Sequence, residues 1–297
     1  MSSKNSRPQQ FSSLKEAIAD IKGRDVQITS SLPLSGGDIN DAFKLTLSDG
    51  GSLFLKKNSR NNLSFFSCEM GALREMERVG EIGIPHALGR GVEGSESFLL
   101  LEFIESAPMR GNYWEDFGRS LARFHLAGRG AQFGFFEDNY IGSTLQKNDG
   151  KESWVDFFRE NRLDYQARLA SNYMGGSLAR AMISFLDRLE NYLPEPEYPS
   201  LIHGDLWSGN VLCGPDGKAW IIDPAAYYGH GEADLAMTEL FGKYPEAFYS
   251  SYSNENPIDP EYEDRKDIYN LYHLLNHLNM FGSSYLGSVR TILNRFV

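Results

Sequence analysis

His203-Gly204-Asp205-Leu206-Trp207-Ser208-Gly209-Asn210, followed a short way on by Ile221-Ile222-Asp223-Pro224, is the stretch on which the reading of this chain turns. Between the two blocks lie an apolar run at 210–213, the turn Gly214-Pro215-Asp216-Gly217 and a second apolar run at 219–222, the pattern of a tight hairpin. Such a hairpin leaves Asp205 in a loop, puts Asn210 at the opening of one strand and returns Asp223, at the close of the other, to the neighbourhood of Asn210. Isolated Asp and Asn residues decorate turns everywhere. Three oxygen-bearing side chains brought together by one hairpin call for a chemical reading.

Phosphoryl transfer needs an acidic group that orients the attacking hydroxyl and takes its proton, together with oxygen ligands for a magnesium ion that neutralises phosphate charge. Asp205 suits the first task. Asn210 and Asp223 suit the second, because Mg²⁺ prefers carboxylate and carbonyl oxygens. The order His-x-Asp-x-x-x-x-Asn and then Asp matches the catalytic loop and metal-binding aspartate of eukaryotic-like kinases.

Upstream, Leu34-Ser35-Gly36-Gly37-Asp38-Ile39-Asn40 lies between two strand-like runs, and the Gly36-Gly37 turn suits close approach of backbone N–H groups to phosphate oxygens. Lys56, in Leu53-Phe54-Leu55-Lys56, is placed to reach the α- and β-phosphates. Strand alternation sends its neighbour Lys57 to the opposite face. Glu69 sits in the apolar stripe of a helical run, four residues after Phe65 and four before Leu73. A carboxylate there is costly to bury without a cation, and Lys56 supplies one. Asp234, in Glu232-Ala233-Asp234-Leu235-Ala236, opens a helix, either as a cap or as a brace beneath the catalytic loop.

Residues 1–12 read as a loose polar tail, residues 13–104 as a β-rich nucleotide-binding lobe ending in a hinge, and residues 105–297 as a larger helical lobe. Residues 43–47 and 52–56 flank Ser48-Asp49-Gly50-Gly51 as a hairpin, residues 65–79 form a helix ended by Gly80, and a second hairpin turns at Gly94-Ser95. Helices are expected over residues 114–125, 154–173 and 178–193, and from about residue 232 onward. The fold class is therefore α+β and bilobal. A net charge of −11 argues against a nucleic-acid partner, and the longest apolar stretch, residues 98–104, is too short to span a membrane. Two cysteines make no disulfide framework, and the N-terminus shows no apolar leader, so the expected location is the cytoplasm.

His273 and His277 stand four apart on a helical run, a spacing that suits a metal, but the glutamate of the His-Glu-x-x-His zinc motif is absent. A structural or substrate-pocket role for the pair is the better expectation, with His277 the candidate for the pocket. Trp207, inside the catalytic loop, would border the acceptor.

With these residues in hand, the chain resembles the fructosamine/ketosamine-3-kinase family, a protein-kinase-like group related to the aminoglycoside and choline kinases. The likeness rests on Leu34-Ser35-Gly36-Gly37, Phe54-Leu55-Lys56, Phe133-Gly134-Phe135, Asp138-Asn139-Tyr140-Ile141-Gly142, the 203–210 block, Asp223-Pro224-Ala225, residues 232–237 and Leu275-Asn276-His277-Leu278-Asn279. The resemblance implies ATP between two lobes, its adenine bonded to backbone near Glu102, Phe103 and Ile104, with Asp205 as base, Asn210 and Asp223 as Mg²⁺ ligands and Lys56 with Glu69 as the phosphate clamp. It also implies phosphorylation of the 3-hydroxyl of a ketosamine and, since that phosphate is unstable, release of the amine. Two positions depart from the family pattern: Asp38 stands where some members carry a cysteine, and Gly231 where many carry a basic residue. Asp234 stands only eleven residues after Asp223, too close for a long activation loop. The same residues fit an aminoglycoside, amino alcohol or sugar as acceptor. A pseudokinase is disfavoured by the complete set of catalytic residues, and a hydrolase built on His203, His273 and His277 would need zinc.

Overall fold

The computed structural model of the chain describes residues 10–34 and 39–296, so the Gly36, Gly37 and Asp38 turn lies outside the described residues. The first lobe is a six-stranded sheet in the order β1-β5-β6-β4-β3-β2. Its strands are β1 (Gln10–Phe11), β2 (Ile28–Leu34), β3 (Asp41–Leu47), β4 (Ser52–Ser59), β5 (Ala87–Glu93) and β6 (Glu96–Glu102), with helices α1 (Leu14–Lys22) and α2 (Leu63–Val79) packed on them. β3 and β4 pair antiparallel with Leu45 opposite Leu53, which is the expected hairpin. α1 begins with a reciprocal cap: Ser13 Oγ accepts from the Glu16 N–H, and the Glu16 carboxylate accepts from the Ser12 N–H. α2 starts two residues earlier than expected and ends at Gly80, whose φ of 79° lies in the left-handed region.

Gln10 and Phe11 are not the loose chain that the sequence suggested. Gln10 and Phe11 pair parallel with Arg90 and Gly91, and the Phe11 ring is buried beside Ile18, Leu45 and Phe98. A two-residue strand has no periodicity to read, and burial of one aromatic ring accounts for its docking.

The second lobe contains α3 (Tyr113–Ala127), the hairpin β7 (Asn139–Ile141) and β8 (Thr144–Gln146), α4 (Trp154–Phe157), α5 (Tyr165–Leu169) and α6 (Gly176–Leu186). It continues with β9 (Ser200–Ile202), β10 (Val211–Cys213), β11 (Ala219–Ile221) and β12 (Tyr227–Gly229), then α7 (Glu232–Leu240), α8 (Glu246–Glu255), α9 (Tyr262–Phe281) and α10 (Leu286–Phe296). The helix expected over 154–173 is interrupted: a π-helical turn, Phe158–Asp164, separates α4 from α5. The helix expected over 178–193 stops at Leu186, where Arg159 Nε donates to the Leu186 carbonyl and satisfies the helix end. α3 crosses α8 so closely that a Cβ on Gly118 would lie 2.1 Å from the Phe248 carbonyl oxygen. Among the described residues, no helix is long and apolar enough to cross a membrane.

The lobes meet through backbone as well as side chains. Gly83, between α2 and β5, donates to the Ala219 carbonyl at 3.2 Å and accepts from the Ile221 N–H at 2.9 Å, so the edge of the first lobe is bonded to β11. The Ala107 N–H, just past the hinge, donates to the Cys213 carbonyl on β10 at 2.8 Å. These bonds tie the 210–223 hairpin to both the first lobe and the connecting segment.

Candidate active site

The hairpin forms as the sequence indicated, with Val211 paired to Ile221 and Cys213 to Ala219. Asn210 closes a 3-10 turn one residue before the strand, and the Ile222 N–H donates to its carbonyl at 3.0 Å, which brings Asp223 back beside it. The Asn210 side-chain N–H₂ donates to the Asp205 carbonyl at 2.8 Å and to Asp205 Oδ2 at 3.2 Å. Its Oδ1 is left as the acceptor of the amide. Asp223 is the one non-glycine residue with positive φ (56°) among the described residues, and its carboxylate is 45% exposed. One carbonyl oxygen and one accessible carboxylate fit a magnesium ion that completes its shell with phosphate oxygens and water.

Lys56 and Lys57 separate as alternation requires. Lys57 points outward and pairs with Glu96. Lys56 is buried, with Nζ 2.7 Å from Glu69 Oε1 and 2.6 Å from Asp223 Oδ1, so one ammonium bridges α2 of the first lobe and the returning hairpin of the second. Burial opposes its charge, but the carboxylates of Asp223 and Glu69 outweigh that and hold its pKa above the ordinary lysine value. Burial pushes the Glu69 carboxyl upward, against the pull of Lys56.

Asp234 lies beneath the loop of residues 203–210, fully buried. Its Oδ2 accepts from the His203 N–H at 2.7 Å and from His125 Nε2 at 3.2 Å, and its Oδ1 accepts from the Gly204 N–H at 2.9 Å. Burial alone would raise its pKa, but the His125 and His203 hydrogen bonds and charges bring it below the usual carboxylate range. His203 is held by the same loop: its Nδ1 accepts from the Asp205 N–H at 3.2 Å and its Nε2–H donates to the Ile222 carbonyl at 2.8 Å. With both ring nitrogens engaged by backbone, His203 is unsuited to a hydrolytic metal site. Asp205 itself is pushed up to about 7, first by burial and then by the nearby carboxylates of Asp223 and Asp234, with the Asn210 hydrogen bond opposing.

Aromatic rings cluster beside the loop that carries Asp205. Trp207 is 39% exposed and meets Phe241 edge-on at 6.4 Å, and Phe241 meets the His277 ring at 5.1 Å. His277 Nδ1–H donates to the His273 carbonyl, an intrahelical bond that fixes the ring. His273 Nδ1 has no hydrogen-bond partner among the described residues and lies 3.9 Å from Asp205 Oδ1, while burial lowers its pKa to about 3. Glu102 ends β6, and Phe103 and Ile104 follow half-buried, with Lys44 Nζ 4.2 Å over the Phe103 ring. Gly231 does not face this cleft: a Cβ there would meet His125 Nδ1 at 2.8 Å and the Tyr252 hydroxyl at 3.2 Å. The absent basic side chain thus leaves room for the His125–Tyr252 hydrogen bond of 2.8 Å.

Sequence reasoning missed His125 and Phe241. A histidine among Leu121, Ala122 and Phe124 on the buried face of α3 was the available signal for the first. Phe241 follows the end of α7 with no local pattern to mark it.

Residues 10–297 match the family model of fructosamine kinase. A Synechocystis protein assigned as a probable ketoamine kinase is 39% identical over 292 residues, covering 97% of each chain. The chloroplastic protein-ribulosamine 3-kinase of Arabidopsis thaliana is 39% identical over 284 residues, 93% of this chain and 85% of that one. A crystal structure from Haemophilus somnus assigned as a fructosamine-3-kinase superposes with a TM-score of 0.86 at 28% identity, covering 96% of this chain and 97% of that chain. The fold is thus the bilobal kinase-like one expected, the family implies use of ATP, and the chain belongs to the fructosamine kinase family.

Proposed function

We propose that this protein transfers the γ-phosphoryl group of ATP, with Mg²⁺, to the 3-hydroxyl of ketosamines such as fructosamine or ribulosamine adducts, so that the amine is freed. The observation that carries the reading is the convergence of Lys56, Glu69, Asn210 and Asp223 beside Asp205 in a chain of this family. Bound magnesium supplies neutralisation of phosphate charge. Asn210 and Asp223 are its proposed protein ligands, and Lys56, held by Glu69, contacts the phosphates. Asp205 orients the acceptor hydroxyl and takes its proton as the new oxygen–phosphorus bond forms and the bond to ADP breaks. A carboxylate with a pKa near 7 is a better proton acceptor than an ordinary one at neutral pH. Asp234 braces the loop through the His203 and Gly204 N–H groups. Trp207 and His277 line the acceptor side, and the backbone at Glu102, Phe103 and Ile104 receives the adenine. The glycine-rich turn at Gly36 and Gly37 is proposed to cover the phosphates. The buried thiols Cys68 and Cys213 support a reducing compartment, the cytoplasm.

The test is ADP release with Mg²⁺ and fructosyl-lysine, ribulosyl-lysine, free fructose or an aminoglycoside in parallel. Turnover on ketosamines, lost at least about 10³-fold in Asp205→Asn while nucleotide still binds, is the expected result. Turnover confined to another acceptor would replace the substrate. Full activity of Asp205→Asn would remove the base.

A further inference from the structure

Five polar side chains lie buried together behind the segment that follows Asp223: Asn139, Gln146, Asn148, Arg162 and Tyr272. Arg162, in the π-helical turn, has its guanidinium 3.8 Å over the Tyr227 ring and 4.6 Å over that of Phe157. It donates to the Lys147 carbonyl at 2.5 Å and to Asn148 Oδ1 at 2.8 Å. Because a guanidinium can only donate, it fixes which way the Asn148 amide points. Asn148 Nδ2 must then donate, and it does so to Asn139 Oδ1 at 2.8 Å. Asn139 Nδ2 is thereby aimed at the Ala226 carbonyl, 2.8 Å away. A second branch starts at Tyr272, whose hydroxyl donates to Gln146 Oε1 at 2.6 Å. Gln146 Nε2 donates both to Asn139 Oδ1 at 2.7 Å and to the Ala225 carbonyl at 2.9 Å.

Both branches end on two consecutive carbonyls directly after Asp223-Pro224. Asp223 is the residue held at a φ of 56°, a left-handed conformation that is unfavourable for a non-glycine residue and persists only where its surroundings fix it. The Ala225 backbone also reaches the catalytic loop: its N–H donates to the His203 carbonyl at 3.0 Å, and its carbonyl oxygen would lie 2.2 Å from a Cβ on Gly204. Polar side chains buried this deeply are expensive unless they are matched, and here the donor and acceptor senses agree from the terminal nitrogens of Arg162 to Ala226, with Arg162 Nε left without a partner among the described residues.

We propose that Asn139 and Gln146, oriented by Asn148, Arg162 and Tyr272, are positioning residues that hold Asp223 in its left-handed backbone through the carbonyls of Ala225 and Ala226. The inference rests on the reading of Asp223 as a metal ligand for its consequence, but the restraint itself is testable without it. Hydrogen exchange is measured by mass spectrometry on the full chain as wild type, Gln146→Leu and Asn139→Leu, alongside Mn²⁺ binding in the presence of ADP. The expected result is exchange at least tenfold faster in peptides covering 203–206 and 225–229, unchanged exchange in α2 and α10, and at least tenfold weaker Mn²⁺ binding. Gln146→Glu, which keeps an acceptor for Tyr272 but loses the donor to Ala225, should behave like Gln146→Leu. Unchanged exchange at 203–206 and 225–229, or a uniform rise across the chain that marks general loosening, would overturn the proposal. Altered exchange with wild-type Mn²⁺ affinity would overturn its link to Asp223. A wild-type protein that phosphorylates no ketosamine would refute the proposed function and leave the exchange result standing.

Discussion

Replacing Asp234 with asparagine exchanges one carboxylate oxygen for an N–H₂ group at a point where neither orientation is tolerable. Oδ2 accepts from the His203 N–H and His125, and Oδ1 accepts from the Gly204 N–H. Whichever way the amide turns, its N–H₂ faces a backbone N–H at 2.7 or 2.9 Å. One charge-assisted bond is lost and a donor is left buried without an acceptor, a loss of about 2–3 kcal/mol. At about 2–4 °C per kcal/mol for large single chains, the unfolding midpoint should fall by roughly 4–12 °C. Relief of the donor–donor contact moves the His203-Gly204-Asp205 backbone, and a displacement of about 1 Å at the reacting group costs roughly 100-fold. The expected phenotype is a kcat reduced about 10- to 100-fold with little change in KM for ATP, since the hydrogen bonds of Asp234 go to His125, His203 and Gly204 and those of Lys56 to Glu69 and Asp223. Thermal unfolding and steady-state kinetics are the assays. A midpoint within about 1 °C of wild type and an unchanged kcat would show that the loop does not depend on Asp234, and the brace would have to be abandoned.

Glu69→Gln leaves Lys56 with a neutral partner on the α2 side; KM for ATP should rise about tenfold or more, and an unchanged KM would remove the clamp. His273 is held neutral by burial with a pKa near 3, below the unfolded value of about 6.5. The unfolded chain therefore binds a proton that the folded chain refuses, so this contribution is full above pH 6.5 and is lost as pH falls. His273→Gln should flatten the dependence of stability on pH between about 6.5 and 4 by up to about 1.4 kcal/mol per unit, measured by denaturant titration. Parallel curves would refute the assignment. Gly118→Ala, which drives a Cβ against the Phe248 carbonyl, should destabilise the α3–α8 crossing by about 1–3 kcal/mol; an unchanged midpoint would mean that the helices separate freely.

The site was legible wherever its residues are local or periodic. Asn210 and Asp223 flank one hairpin and Asp205 stands in the loop that leads into it, so the turn at 214–217 was enough to bring them together. Lys56 was distinguished from Lys57 by strand alternation, and Glu69 was betrayed by a carboxylate in an apolar helical stripe. What escaped depends on distant partners. β12 pairs with β9 across 24 intervening residues, and neither three-residue strand has a pattern of its own. His125 acquires its meaning only from Asp234, 109 residues away. Asn139 was noticed within a motif, but Gln146, Asn148 and Arg162 look like ordinary loop or helix-surface residues until the fold buries them. The π-helical turn left no trace in the spacing because the residues around it remain apolar at helical intervals.

The short path from Asp223 to Asp234 has a further consequence. It is pinned at Ala225 and Ala226, paired to β9 from Tyr227 to Gly229, and absorbed into α7 at Glu232. In larger kinases the corresponding stretch is the throttle, a segment that swings between idle and working positions when it is modified. Here the same bonds that fold the segment leave it no slack for such a swing, so its position is part of the fold itself.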